Sequence, residues 1–319
     1  MNVMIIGGAG FIGSRLFEDL KNKGIHNPFI FDKLDNKLKS INYFQGNILN
    51  KENLRNSLKG MDVIINLAAE HKDNVSPLQL YTDVNVTGSL NICDIASEMN
   101  INHIIFTSTV AVYGLDGSGF TEESIPRPFN EYGKTKLQAE DLYRSWFDKD
   151  SINRKLTIIR PTAIFGEGNR GNIYNFFNQI SSKAFVMIGN GENKKSISYV
   201  GNISEFLCKL IDSTSAYNLI NYVDKPDLSM NELADITRDT LGKKRLSKFK
   251  IPKFIGIAAG YIFDLLAVVI QKDLVLSSIR IKKFISNSIV DSIYNDNFAK
   301  PFTMKDSIKR TLTFEFKED

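Results

Sequence analysis

At 319 residues, with 43% hydrophobic and 24% charged side chains, the chain can bury a full core, and it carries no low-complexity tract or Pro/Gly-rich linker. Forty Lys and Arg against 36 Asp and Glu leave a mild formal net charge of +4, read as spread along the chain; this does not mark a nucleic-acid binder and is compatible with a small phosphate-bearing ligand. Cys93 and Cys208 sit apart in apolar helical settings, as buried thiols of a reducing compartment do, and His26, His71 and His103 form no metal-ligand spacing. No basic leader or cleavage site precedes the apolar run Met1-Asn2-Val3-Met4-Ile5-Ile6, so a cytoplasmic protein is expected.

The first half alternates short β-rich runs with longer helical patterns. Strands are predicted at Asn2 to Ile6, Pro28 to Phe31, Asn42 to Phe44, Val63 to Leu67, His103 to Ser108 and Leu156 to Ile159. Helices are predicted near Phe11 to Lys23, Lys51 to Leu58, Leu78 to Met99 and Glu131 to Phe147. Such alternation builds βαβ units, so the expected fold class is α/β, a doubly wound parallel sheet of six strands. The regular pattern stops at Arg160-Pro161. Residues 1–160 are therefore expected to form a dinucleotide-binding domain, and 161–319 mainly a smaller, mixed α/β substrate-binding region with some segments returning to the sheet. In that second part Ile251 to Ile270 is largely apolar and contains Gly256-x-x-x-Gly260, the spacing of membrane helix pairs. Lys253 and Asp264 interrupt it, and charge in mid-span is costly in a bilayer, so a buried or lid helix is expected rather than membrane contact.

The chemistry-bearing residues cluster at predicted strand ends. Gly7-Gly8-Ala9-Gly10-Phe11-Ile12-Gly13 follows the first strand and opens a helix. The first glycine permits the tight turn, the middle ones let a pyrophosphate approach the backbone, and Gly13 lets helix and strand pack closely. The helix N-terminus then offers N–H groups and partial positive charge to the phosphates. Asp32 ends the second strand, where a carboxylate accepts from both ribose hydroxyls of NAD and repels a 2′-phosphate; Lys33 beside it keeps NADP open. Gly46-Asn47-Ile48 could meet the adenine and Leu67-Ala68-Ala69 could run beneath the dinucleotide, although a loop and a small-residue packing site explain them equally well. Thr107-Ser108-Thr109 ends the fifth strand, where a hydroxyl can hold a substrate oxygen. Tyr132 and Lys136, four residues apart, share a helix face, so the ammonium can favour the ionised phenol and make Tyr132 a proton carrier.

With these residues, together with Asn66-Leu67-Ala68-Ala69, Asn85-Val86-Thr87-Gly88, Val112-Tyr113-Gly114 and Arg160-Pro161, the chain resembles the extended short-chain dehydrogenase/reductases over essentially its whole length. The resemblance is closest to their nucleotide-sugar epimerase and dehydratase branch. It implies a Rossmann-type fold binding NAD, with Tyr132 as catalytic acid/base, Lys136 holding the nicotinamide ribose and lowering the tyrosine pKa, and Thr109 orienting the sugar oxygen. It further implies cofactor contacts from Gly7, Gly10, Phe11, Ile12, Gly13, Asp32, Asn47, Ile48, Leu67, Ala68, Ala69, Asn85, Ser108 and Pro161, and a substrate-diphosphate contact from Lys195; beside it, the loop Gly166 to Asn172 is a candidate cover for the nucleotide and the cluster Arg280 to Lys283 a second candidate for the diphosphate, although a solvated surface explains the basic clusters equally well. No metal is implied, and a homodimer through the helices Leu78 to Met99 and Glu131 to Phe147 is.

Three departures sharpen the reading. The 4,6-dehydratases of this family carry an Asp-Glu pair where Val110 and Ala111 stand here, so elimination of water lacks its two carboxyl groups and dehydration is disfavoured. Asn47 replaces a common aspartate. Lys195 replaces an arginine, neutralising phosphate charge without a bidentate fork. What remains is hydride transfer at C4 of a nucleotide sugar, expected to be UDP-linked and destined for surface polysaccharide, in a 4-epimerase or a 4-keto-sugar reductase. Two other readings stand beside it. One is an oxidoreductase acting on a non-nucleotide alcohol, like the hydroxysteroid relatives, with the apolar segment serving a lipid substrate. The other is a dinucleotide sensor without turnover.

Overall fold

Apolar runs alternating with amphipathic helices lay down the first half of the chain. The computed structural model describes all residues except 37–40, 73–74, 116, 183–184, 244–249, 271–277, 294–297 and 318–319. Its first elements are β1 (Asn2–Ile6), α1 (Phe11–Lys23), β2 (Asn27–Asp32), β3 (Tyr43–Gln45), α2 (Lys51–Ser57) and β4 (Val63–Asn66). The predicted helix Leu78 to Met99 is instead three pieces: a short α3 (Gln79–Tyr81), a π-helical turn over Thr82–Thr87, and α4 (Gly88–Glu98). After β5 (His103–Thr107) come a 3₁₀ turn (Val110–Tyr113), β6 (Gly117–Phe120), α5 (Glu131–Asp148) and β7 (Lys155–Pro161).

Strands β11 (Tyr217–Tyr222, numbered in chain order with those given below), β7, β5, β4, β1, β2 and β3 lie side by side in that order in one sheet, parallel throughout. Parallel strands are covered on both faces, which explains their continuous apolar runs. Because successive side chains point to opposite faces, Met4, Ile6, Ile64 and Ile104 pack with Leu54, Ile92 and Tyr143 on one side, and Val3, Ile5, Ile65 and Ile105 pack with Leu16, Leu20 and Leu207 on the other. The order is that of a Rossmann-type doubly wound sheet. It has seven strands: to the six read from the first half is added β11, which comes from beyond Pro161 and pairs along β7 from Tyr217↔Leu156 to Tyr222↔Pro161. Its sequence, Tyr-Asn-Leu-Ile-Asn-Tyr, is half-buried at an edge and lacks the apolar run that marks the inner strands.

The remainder contains β8 (Ala163–Phe165), α6 (Asn172–Ser181), β9 (Met187–Ile188), β10 (Lys194–Tyr199), α7 (Val200–Ile211), β12 (Asp224–Ser229) and α8 (Met230–Thr240). It ends with β13 (Lys250–Ile251), α9 (Lys253–Ile270), α10 (Ser278–Ile285), β14 (Ser288–Val290) and α11 (Met304–Phe316). A second sheet runs β12-β10-β14-β6, with β8 also on β10, and its core joins Phe165, Phe177, Tyr199, Leu233 and Ile308. Of the two expectations for this segment, a buried or a lid helix, the first is not met, since helix α9 is buried on one side only. Gly256 and Gly260 are buried against the protein, while Phe254, Ile262 and Leu265 are 71%, 60% and 67% exposed. No helix among the described residues is long and apolar enough to cross a membrane.

Candidate active site

The glycine turn is built from contacts that leave no room for side chains. A Cβ at Gly7, whose φ is +79°, would lie 2.7 Å from Ala68 N, and one at Gly13 would lie 2.6 Å from Gly7 O and Gly8 Cα. Gly7 N–H donates to Phe31 O and Leu67 N–H to Ile6 O, so the turn and the Leu67-Ala68-Ala69 segment are fixed to the strand ends. Helix α1 starts after Gly10 without a side-chain cap and without an acidic residue in its first turn. The amide groups at that end therefore lack a side-chain acceptor, and the cradle fits the pyrophosphate of NAD.

Asp32 closes the same cradle. Its carboxylate accepts from Ala9 N–H and from Leu34 N–H, both at 3.0 Å, so it holds the glycine turn while leaving lone pairs for a ribose. Ile48 is buried against Gly88, where a Cβ would sit 2.3 Å from its Cδ1, whereas Asn47 is exposed and turns its Oδ1 to Leu49 N–H.

Thr109, Tyr132 and Lys136 come together at the end of β5. Thr109 starts the 3₁₀ turn, its Oγ1 accepting from Ala111 N–H (3.1 Å), and it is hydrogen-bonded to Tyr132. Helix α5 is capped by Asn130, whose Oδ1 accepts from Gly133 N–H (2.9 Å). Gly133 is required there, because a Cβ would meet Ala111 O at 2.6 Å; this close approach sets the Thr109 turn against the Tyr132 turn of the helix. Burial pushes the Tyr132 phenol up to about 12, and the Thr109 hydrogen bond pulls the other way. Lys136 is 1% exposed, with Nζ 4.1 Å above the Phe106 ring. Burial lowers it to about 7 against the opposing charge of Glu140.

The Tyr132 phenol thus stands raised, and Lys136 has no share in the shift. Burial disfavours the charged form of both groups, and it is Thr109 that favours the phenolate. The lysine shift has a consequence for stability. The unfolded chain holds this proton up to its ordinary 10.5 and the folded protein only to about 7, so the cost of burying Lys136 is complete below pH 7 and fades as the pH rises toward 10.5. Lys136→Met is accordingly expected to raise unfolding free energy below pH 7 by roughly 2–4 kcal/mol while removing activity. Urea denaturation across pH checks this, and the gain must shrink above neutrality.

Asn85 lies in the π-helical turn and is 2% exposed. Its side chain accepts from Glu70 N–H (2.9 Å) and donates to Glu70 O and Thr135 Oγ1 (both 3.0 Å), tying the loop after β4 to α5. Ser108 spends its hydroxyl on Glu140 Oε1 at 2.6 Å, and Pro161 is buried at the end of β7. Of the residues expected to meet substrate, Asn172 is the exposed first residue of α6. Arg280 is half-buried on α10, and Lys195 Nζ donates to the carbonyls of Lys283 and Ser286, each at 2.6 Å, at the C-terminal end of α10.

Sequence reasoning missed one buried assembly. Arg160 donates to Glu140 through Nε (2.8 Å) and Nη2 (2.6 Å) and to Tyr113 Oη (2.8 Å), and Tyr113 donates to Asn221 Oδ1 (2.8 Å). Glu140 is fully buried and Arg160 2% exposed. Glu140 stands four residues after Lys136, so the helix-face argument that paired Tyr132 with Lys136 extends to it. Burial alone would raise its pKa, but Arg160, with Ser108 and Arg144, holds the carboxyl below its ordinary value.

A family model described as the NAD dependent epimerase/dehydratase family matches residues 3–221. The chain is 42% identical over 324 residues, 99% of its length and 95% of the relative's, to the N-acetyl-alpha-D-glucosaminyl-diphospho-ditrans,octacis-undecaprenol 4-epimerase of Escherichia coli O157:H7. It is 28% identical to a UDP-glucose 4-epimerase of Vibrio cholerae over 73% of each chain. Among solved structures, a UDP-N-acetylglucosamine 4-epimerase from Bacillus cereus shares the fold, with TM-score 0.77, 19% identity and 99% coverage of each chain. MoeE5 in complex with UDP-glucuronic acid and NAD does so with TM-score 0.79, 20% identity and 98% coverage of each.

Proposed function

The chain belongs to the NAD dependent epimerase/dehydratase family, and within it we propose a 4-epimerase whose sugar is carried on a lipid diphosphate, an N-acetylhexosamine joined to a polyprenol. The observation that carries the reading is the relative of that activity, 42% identical across 99% of this chain. The residues at the site support the reaction. NAD held in the glycine cradle would supply the hydride acceptor and donor for C4. Thr109 and Tyr132, hydrogen-bonded to each other, form a place for the C4 oxygen, where Tyr132 takes its proton on oxidation and returns it on reduction. Lys136 lies one turn further along α5, with Nζ over the Phe106 ring. Val110 and Ala111 put no carboxyl group beside Thr109, which supports inversion over elimination of water.

The carrier revises the expectation of a UDP-sugar. A UDP-linked substrate stays as the second reading because of the Vibrio cholerae relative. The deciding experiment gives the purified protein, with no cofactor added, polyprenyl-diphospho-N-acetylglucosamine or UDP-N-acetylglucosamine and follows C4 stereochemistry by NMR. Inversion of the lipid-linked sugar is expected. Turnover of the UDP-sugar alone would overturn the carrier assignment, and turnover only of a 4-keto sugar with added NADH would make the enzyme a reductase.

A further inference from the structure

Helix α9 has no part in the site described above, yet it presents a broad apolar face. Its small-residue side is used within the protein: a Cβ at Gly256 would fall 2.5 Å from Ile188, and one at Gly260 2.7 Å from Ser278 Cα. The Gly-x-x-x-Gly spacing is therefore satisfied by the chain's own β9 and α10. Asp264 faces the same way, accepting from Ser278 N–H at 3.2 Å. The outward side carries Phe254, Tyr261, Ile262 and Leu265, each more than half exposed. At helical spacing these side chains form one stripe along the helix. A contiguous exposed apolar patch of this kind marks an interaction surface.

Charge identifies the partner. Lys282 of α10 donates to Tyr261 Oη at 2.8 Å, which fixes a cation at the edge of the apolar face, and exposed Lys253 stands at its N-terminal end. In sequence, the basic residues are concentrated around this helix rather than spread along the chain. Residues 243–283 contain ten Lys or Arg against two Asp, while the whole chain's net charge is only +4, so the rest of the molecule is net acidic. A second copy docked on this face would oppose the same cations to one another. An apolar stripe rimmed by lysines suits instead an anionic bilayer surface, with the helix lying in the plane of the headgroups.

We propose that α9 is an interfacial membrane-docking helix: Phe254, Tyr261, Ile262 and Leu265 enter the acyl boundary of an anionic phospholipid surface while Lys253 and Lys282 meet the phosphates. The purpose of such docking rests on the lipid-linked substrate of the preceding section, since it would hold the site where that substrate resides. The binding itself requires no substrate.

The test is co-sedimentation of the full chain with vesicles of phosphatidylcholine and phosphatidylglycerol, compared with phosphatidylcholine alone. Binding is expected to the mixed vesicles and to weaken as salt is raised. Ile262→Asp with Leu265→Asp should weaken it by at least roughly tenfold, and Lys253→Gln with Lys282→Gln should remove the preference for the anionic lipid while leaving the apolar face and the fold unaltered. Turnover of a water-soluble, short-chain prenyl-diphospho sugar should be the same in all three proteins. A wild-type chain that stays in the supernatant would overturn the proposal, as would variants that sediment like wild type, or a dimer in sedimentation velocity that the Asp variants dissociate. If the vesicles are bound but only UDP-sugars are turned over, the docking helix stands and the substrate reading fails.

Discussion

Tyr132→Phe is expected to lower epimerisation by roughly 10²–10⁴-fold, the range removed with a positioned proton carrier, while the protein keeps its fold and its NAD. Phenylalanine keeps the ring in its half-buried place on α5 and deletes only the oxygen hydrogen-bonded to Thr109. The cradle that fits the dinucleotide is made by Gly7 after β1, Gly13 on α1, Asp32 at the end of β2 and Ala68 after β4, none of which that oxygen supports. Turnover is measured beside the NAD released on denaturation, and a rate near wild type would remove Tyr132 from the proton's path. Thr109→Val gives the companion result. It deletes the hydrogen bond that pulls the phenol below the value burial alone would set. The phenol pKa then rises, the ionised form is populated only at higher pH, and the limb of the pH–rate profile that reports proton abstraction moves to higher pH.

What could be read from residues alone follows the range of the interactions involved. Strand β1 and helix α1 begin and end at the predicted residues because an apolar run, a glycine turn and an amphipathic repeat are local features. Thr109 and Tyr132 are brought together by β5 and α5, whose positions follow from the alternation of strands and helices. The edge strand β11 was hidden because two asparagines and two tyrosines mask its alternation. The division of the long predicted helix at Thr82–Thr87 was hidden too: Asn85, within the π-helical turn, is bonded to Glu70 and Thr135, one of them fifteen and the other fifty residues away in sequence. For α9, an apolar repeat cannot distinguish a helix covered by its own protein from one left open; only the packing of Gly256 and Gly260 shows which side is covered. The direction of the Tyr132 and Lys136 pKa shifts was equally out of reach, since helical spacing gives their proximity and not their burial.

Glu140→Ala is expected to cost about 3–5 kcal/mol at neutral pH, the consequence of breaking a buried ion pair and leaving its partner charged. Arg160 would keep its guanidinium, 2% exposed, with Tyr113 Oη as its remaining side-chain acceptor. The sign of the pH dependence follows from Glu140. Its pKa is below the ordinary 4.5 in the folded protein, so its contribution is present above that value and is lost as the pH falls through the lowered one. The stability gap between wild type and Glu140→Gln must therefore narrow on acidification. Replacing both partners, Glu140→Met with Arg160→Met, should recover part of the stability, because the Arg160 guanidinium is no longer stranded, while buried Lys136 still loses the opposing charge of Glu140. Activity is not expected to recover with it. Ser108, bonded to Glu140, and Tyr113, bonded to Arg160, bracket the turn that carries Thr109, so the ion pair sets the position of that hydroxyl beside Tyr132. A double variant with wild-type unfolding free energy and reduced kcat would separate the two roles of the pair, whereas full activity would reduce it to a packing element beneath the site.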